Sequence, residues 1–223
     1  MVKMVIFFKR APGMTIDAFQ RHWREAHARL IEKLPGLRRY VQNHTLAEAY
    51  RKGEPAFDAV AEASFDDTQA MKALVGTAEY AAVSADEANF IDAASLGSII
   101  TEEHLVKDGS AAGDAVKSIN LVSRKAGMPI GDFFRYWVDA HGPLCRAAPS
   151  LRRYAQNHTR LSAYTSGRNP AYDGVAMSWF DSMEALRAAS RSGELAPLAA
   201  DLPRFVDEER ARHVLATEHV IVA

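Results

Sequence analysis

The chain has 223 residues, with 27 basic and 28 acidic side chains and a single cysteine, Cys145. That balance, with no Lys/Arg stripe, argues against a protein that tracks nucleic-acid phosphates, and no apolar run reaches the length of a membrane span. One cysteine rules out an internal disulfide and any Cys-rich zinc or iron–sulfur site, so a cytoplasmic chain with no nucleic-acid or membrane partner is expected.

Val2 to Phe8 reads as a strand by its length and apolar content. Thr15 can cap a helix whose inner face is Phe19, Trp23, Ala26, His27, Leu30 and Leu34, and Pro35-Gly36 stops it. A second strand follows from Leu37 to Leu46, then a loop with Gly53 and Pro55, then a third strand from Phe57 to Phe65. Asp66 opens an Ala-rich helical region running towards residue 93, and Leu96 to Val106 forms a last strand. The small, polar run 107–115 reads as a linker.

The pattern then repeats. Residues 13–45 align without a gap on 127–159, with 18 of 33 positions identical. Chance would give roughly 2, so the chain is an internal duplication. One extra residue in the loop holding Gly167 and Pro170 changes the offset from 114 to 115, so Asp58 matches Asp173 and His104 matches His219. Repeats at 1–106 and 116–223 follow. The order βαββαβ is ferredoxin-like, with both helices on one face of a sheet. One copy leaves its second sheet face uncovered. The expected fold is therefore α+β, with tandem repeats packed sheet-to-sheet as a pseudo-dimeric α/β barrel.

What the copies share is largely polar. Trp23 and His27 recur as Trp137 and His141, and Arg38-Arg39-Tyr40-x-Gln42-Asn43-His44 recurs as Arg152-Arg153-Tyr154-x-Gln156-Asn157-His158. His27 and His141 share a helix face with the tryptophans, where an imidazole in a partly apolar pocket can serve as general acid or base. The alternative is a histidine bonded to a backbone carbonyl near the helix end. Tyr40, Gln42 and His44 alternate on a strand, as do Tyr154, Gln156 and His158. Since Val41 and Ala155 suit a helix-covered face, the Tyr, Gln and His side chains are expected in the barrel interior. Asn43 and Asn157 would then lie near the His27 and His141 pockets.

His44 and His158 belong either to such a site or to a register-setting ladder. The second and fourth strands are sheet edges, so His44 should approach His219, and His158 should approach His104, rather than form a three-histidine metal site. His22 and His213 are unmatched and read as solvated. One arginine of each pair, Arg38-Arg39 and Arg152-Arg153, must face inwards on a regular strand, where it could bind a carboxylate or phenolate or pair with Asp58 or Asp173. The tryptophans read mainly as core. On the first strand Met4, Ile6 and Phe8 become Ser118, Asn120 and Val122, so the second copy should hold the more polar pocket and be the more active half.

Phe19-x-x-x-Trp23-x-x-x-His27 with Leu37-Arg38-Arg39-Tyr40-x-Gln42-Asn43-His44 resembles the EthD family, and Phe133 to His158 matches it again. The Asp173-Gly174-Val175-Ala176 stretch, Trp179-Phe180 and Glu218-His219 are also similar. His141-Gly142-Pro143-Leu144 follows the family pattern, whereas His27-Ala28-Arg29-Leu30 lacks the proline. The resemblance implies the dimeric α/β-barrel fold, here fused in one chain, and leaves the chemistry open.

The leading expectation is a small-molecule enzyme of lyase or isomerase type without cofactor or metal, acting on an aromatic or lactone-like compound. His141 and His27 would move a proton, Asn157, Asn43, Tyr154, Tyr40, His158 or His44 would assist, and Trp137, Trp23, Arg153, Gln156 and Asn120 would bind substrate. The alternatives are an oxidoreductase or monooxygenase-type protein, a haem-binding barrel, or an accessory binder of a hydrophobic metabolite. A homodimer of the fused barrel is left open.

Overall fold

The computed structural model describes residues 1–165 and 169–223; Gly167, assigned above to the loop with Pro170, lies outside them. Two compact units are resolved by their internal contacts, residues 1–101 with 218–223, and residues 102–217.

In the first unit, β1 (Val2–Phe8), β2 (Leu37–Thr45) and β3 (Ala59–Phe65) form an antiparallel sheet with β3 in the middle. The start of β4 (Gly97–Lys107) pairs with β1, and the end of β8 (Arg212–Val222) lies beside β2. The second unit repeats this with β5 (Val116–Val122), β6 (Arg153–Thr159) and β7 (Gly174–Phe180), the start of β8 on β5 and the end of β4 beside β6. Each last strand thus begins in one unit and ends in the other. The hydrogen-bonded order β1-β3-β2-β8-β5-β7-β6-β4 closes on itself, the pairing pattern of a pseudo-dimeric α/β barrel.

Helices cover one face of each sheet. In the first unit these are α1 (Ile16–His22), α2 (Ala28–Ile31), α3 (Thr68–Ala73) and α4 (Ala78–Phe90). Their counterparts are α5 (Ile130–Tyr136), α6 (Gly142–Ala147), α7 (Met183–Ser192) and α8 (Ala196–Asp201). Thr15 caps α1 as expected, its hydroxyl accepting from the Ala18 N–H. The Ala-rich region is two helices rather than one, broken at Gly76 (φ 92°), and the cap of the first is Asp67, not Asp66. Asp66 instead pairs with Arg38. Phe8, Phe19, Trp23 and Phe90 form the first core, and Val122, Phe133, Trp137 and Phe205 the second. Among the described residues no helix is long and apolar enough to cross a membrane.

Three expectations change. Ala26 is exposed, while Ala28 and Ile31 are buried. The cause is a π-turn over Trp23–His27, closed by the Ala28 N–H on the Trp23 carbonyl, which inserts one residue and rotates everything after it. The strand faces are also reversed. Tyr40 packs in the helix-side core with Trp23, so Tyr40, Gln42 and His44 lie under the helices and Val41, Asn43 and Thr45 face away. The reversal arises because the buried polar groups of the first set serve the helix itself, as described below. Finally, Asp58 and Asp173 pair with Arg10 and Arg124, not with the duplicated arginines. Arg152 pairs with Asp181, and Arg153 with Asp108 at 2.7 Å.

Candidate active site

In the second unit the helix between α5 and α6 passes through a π-turn over Trp137–His141, closed by the Gly142 N–H on the Trp137 carbonyl. The same carbonyl accepts a second bond from Gln156 Nε2 at 2.8 Å, and Gln42 does the same for Trp23 at 2.7 Å. This widened turn needs a buried donor beneath it, which is why a glutamine sits on the helix-covered strand face. Gln156 is therefore a support for the turn. Its carbonyl meets His158 Nε2 at 3.2 Å.

The π-turn buries His141 against Phe205, with ring centres 5.1 Å apart. His141 Nδ1 lies 2.9 Å from Asp201 Oδ2, and Tyr136 donates its hydroxyl to Asp201 Oδ1 at 2.7 Å. Burial lowers the His141 pKa from its ordinary value, and the bond and charge of Asp201 recover only part of that shift. The imidazole is thus neutral near pH 7, with its proton on Nδ1 towards the carboxylate, and Nε2 has no hydrogen-bond partner among the described residues. In the first unit His27 Nδ1 meets Asp86 Oδ2 at 2.9 Å, and His22 takes the place of Tyr136, 2.9 Å from Asp86 Oδ1. His22 is accordingly half-buried and bonded rather than solvated. Burial works to raise the Asp86 pKa, but the two histidines hold it below the usual carboxylate range.

His141 lines a cavity of about 430 Å³ in the second unit. Its roof is apolar, with Leu198, Leu202 and Phe205, and its floor carries Ser118, Asn120 and Ser178. The corresponding space around His27 is only about 60 Å³, because Met4, Ile6 and Tyr80 fill it. Both units keep the His–Asp pair, and the second has the room to use it. This bears out the expectation of a more polar pocket in the second copy.

The other candidates fall outside this cavity or act as its supports. Tyr154 lines it, but its hydroxyl accepts from Trp137 Nε1 at 3.0 Å and burial raises its pKa well above the ordinary value. Tyr40 is likewise buried and held by Trp23 at 3.4 Å. His158 is stacked between Phe134 and Trp137, at 4.5 and 4.8 Å, and beside His104 at 4.3 Å. His44 stacks on Trp23 at 4.6 Å and lies 4.7 Å from His219. Both cross-strand histidine pairs therefore form as expected, and burial lowers His44 and His158 to about 3.

Asn43 and Asn157 do not approach the His27 and His141 pockets. They point to the opposite sheet face, bonding the carbonyls of Val60 at 2.9 Å and Val175 at 3.2 Å, and the side-chain oxygens of both are buried without a partner among the described residues. Arg153 lies with Asp108 and over the Trp179 ring, away from the cavity. Asn120 does line it, and Trp137 forms part of its wall. Cys145, also on the wall, is a buried thiol pushed up to about 12, consistent with its reading as a small apolar residue. No group of three or more metal-ligating side chains occurs among the described residues.

The carboxylates were missed from sequence. Asp86 and Asp201 align at the offset of 115, beside the matched Phe90 and Phe205, in a stretch where few other positions agree. His213 also proves to line the cavity, 2.9 Å from Ser118 Oγ and exposed at its rim.

Among solved structures, an anthrone oxidase-like protein matches the whole chain and 93% of its own at 10% identity, with a TM-score of 0.66. A candidate monooxygenase from Fusobacterium nucleatum subsp. nucleatum matches 99% of this chain and 92% of its own at 8% identity, TM-score 0.62. At such identities these likenesses concern the fold. An EthD family protein from Bacillus halodurans is 28% identical over 47% of this chain and 99% of its own, with a TM-score of 0.39. None of the curated proteins compared matches. The EthD domain family matches twice, over residues 11–94 and 125–209, each match containing one π-turn histidine and its carboxylate partner. The chain therefore belongs to the EthD family and carries two of its domains in tandem.

Proposed function

We propose that this protein is a cofactor-independent acid–base enzyme whose second domain acts on a small, mostly apolar aromatic or lactone-like compound. The observation that carries the reading is the buried His141–Asp201 pair, with His141 lining a cavity of about 430 Å³ and its Nε2 unbonded among the described residues. That volume lies in the roughly 300–1,000 Å³ range of small-molecule sites.

Asp201 fixes the imidazole tautomer and orientation, and burial keeps the ring neutral, so Nε2 is a base at neutral pH. A bound compound with an acidic C–H beside a carbonyl loses that proton to Nε2, and the electron pair of the broken bond moves to the carbonyl oxygen. Asp201 then stabilises the imidazolium. Return of the proton at another carbon is isomerisation, and departure of a leaving group with the electron pair is elimination. In decarboxylation the pair comes instead from the broken C–CO₂ bond, and the freed carbon takes its proton from the imidazolium. The names of the oxidase-like and oxygenase relatives support a second outcome, in which the same carbanion is oxidised by dioxygen.

The test is deuterium exchange without oxygen, followed by NMR, on a panel of enolisable aromatic ketones and lactones that includes anthrone. The wild type should accelerate exchange for at least one compound and His141→Asn should not. Exchange at the buffer rate throughout, or full activity in His141→Asn, would reject the reading. Oxygen uptake with the exchanging compound would place the chemistry among oxidations.

A further inference from the structure

The cavity of the second domain carries, on its floor and rim, four side chains that the first domain lacks at the matching positions: Ser118 for Met4, Asn120 for Ile6 and Ser178 for Ala63 on the floor, and His213 for Ser98 at the rim. Three of them are connected. Asn120 Nδ2 donates to Ser118 Oγ at 3.4 Å, and Ser118 Oγ lies 2.9 Å from His213 Nε2. Sheet register explains the grouping, since Ser178 lies opposite Ser118 on β7 and His213 lies opposite Asn120 on β8.

This array is not required to build the fold. The first domain forms the same strands in the same register with Met4 and Ile6 in place of its two central members. Placing Ser118, Asn120 and Ser178 beneath an apolar roof costs apolar burial, and it leaves one Asn120 amide hydrogen without a partner among the described residues. Glu208 and Arg212 also line the cavity and contribute one charge of each sign, so the lining does not select an ion. A neutral oxygen on an otherwise apolar body is the chemistry that matches.

We propose that Ser118 and Asn120 form an oxygen-holding subsite for the phenolic or enolisable carbonyl oxygen of the compound whose proton His141 removes, with His213 as the positioning residue that orients the Ser118 hydroxyl. The assignment of the proton to His141 rests on the function proposed above; the oxygen-holding role rests on the floor itself. When the C–H electron pair moves onto the substrate oxygen, the Ser118 O–H and the free Asn120 N–H donate to it. His213 donating from Nε2 to Ser118 Oγ turns the serine proton towards the ligand. No σ bond other than the C–H breaks, the C=O π bond is exchanged for a C=C π bond, and nothing is oxidised.

The experiment is equilibrium binding of 2-naphthol and of naphthalene, its oxygen-free counterpart, to the full chain. The wild type should bind 2-naphthol roughly tenfold more tightly, the size expected of one or two net hydrogen bonds. Ser118→Ala/Asn120→Leu should lose that preference while still binding naphthalene, so a folding defect is distinguishable. His213→Ser, the first domain's residue, should reduce the preference. In the wild type the His213 ring resonances should shift with 2-naphthol and not with naphthalene.

Equal affinity for the two compounds, failure to bind 2-naphthol, or a preference that survives in Ser118→Ala/Asn120→Leu would overturn the proposal. His141→Asn should keep the preference. An intact preference without proton exchange on any compound would therefore reject His141 as the base and leave the subsite standing.

Discussion

His141 Nδ1 and Asp201 Oδ2 lie 2.9 Å apart beneath a π-turn, and His27 and Asp86 repeat the distance in the other domain. Asp201 raises the His141 pKa against the lowering effect of burial. Removing it therefore has a definite sign. Asp201→Asn should leave His141 still harder to protonate, so the acid limb of the rate–pH profile should move to lower pH. The rate at neutral pH should also fall, by roughly 10–100-fold, because the imidazole loses its orienting partner. His141→Asn should cost about 10²–10⁴. Initial rates of the exchange reaction from pH 5 to 8 check both; an acid limb moving upward in Asp201→Asn would contradict the assigned roles.

The two domains differ at the cavity floor. Ser118→Met with Asn120→Ile gives the second domain the residues that leave only about 60 Å³ around His27. The added methylenes would lie in a largely apolar space, each contributing about 0.8 kcal/mol when buried. The variant should therefore bind neither naphthalene nor 2-naphthol, lose proton exchange, and melt a few degrees higher than the wild type. Retained binding would show that ligands do not enter by this cavity. Calorimetric melting together with equilibrium dialysis decides it.

Much of this was legible in sequence because duplication supplies an internal comparison. The repeat gave the two domains, the polar matched set and the difference between Met4/Ile6 and Ser118/Asn120. The family pattern gave the fold, since it occurs in both copies. The π-turn was not legible: Trp23 and His27 are four apart, a spacing that a regular helix also satisfies, and only the burial of Ala28 and Ile31 exposes the extra residue. The face of the second strand failed for a related reason. Val41 is more apolar than Gln42, but Gln42 is the residue that the widened turn binds. Asp201 was hidden because a lone acid in an Ala-rich helix resembles a solvated one until its partner's position is known.

His44 and His158 are held neutral in the folded chain, each with its pKa lowered to about 3, chiefly by burial. In the unfolded chain a histidine titrates near 6.5. The unfolded state therefore binds more protons between about pH 6.5 and 3, and stability falls as pH falls through that window. Above it neither state is charged and no penalty remains. Each ring should cost on the order of 1–2 kcal/mol by pH 5. His158→Phe, which keeps a ring between Phe134 and Trp137, should flatten the slope of stability against pH. Denaturant unfolding at pH 7 and pH 5 measures this. An unchanged slope would show that His158 does not contribute.

Gly174 lies on β7 where the first domain has Ala59, opposite His158 as Ala59 is opposite His44. A Cβ at Gly174 would come within 2.6 Å of the Trp137 ring and 2.7 Å of the Asn157 carbonyl oxygen. The ring is fixed by its bond to Tyr154 and its stack on His158, and the oxygen is backbone, so neither can move aside cheaply. Gly174→Ala should cost about 1–3 kcal/mol, the range for overpacking a closed core. Ala59→Gly should instead lose stability through chain entropy and a lost methyl, by about 1 kcal/mol. Because Trp137 is a wall of the cavity, Gly174→Ala should also weaken naphthalene binding, and Ala59→Gly should not. Stability and binding measured on this pair would separate a domain whose tryptophan is only core from one whose tryptophan also shapes a site; equal effects on binding would contradict that division.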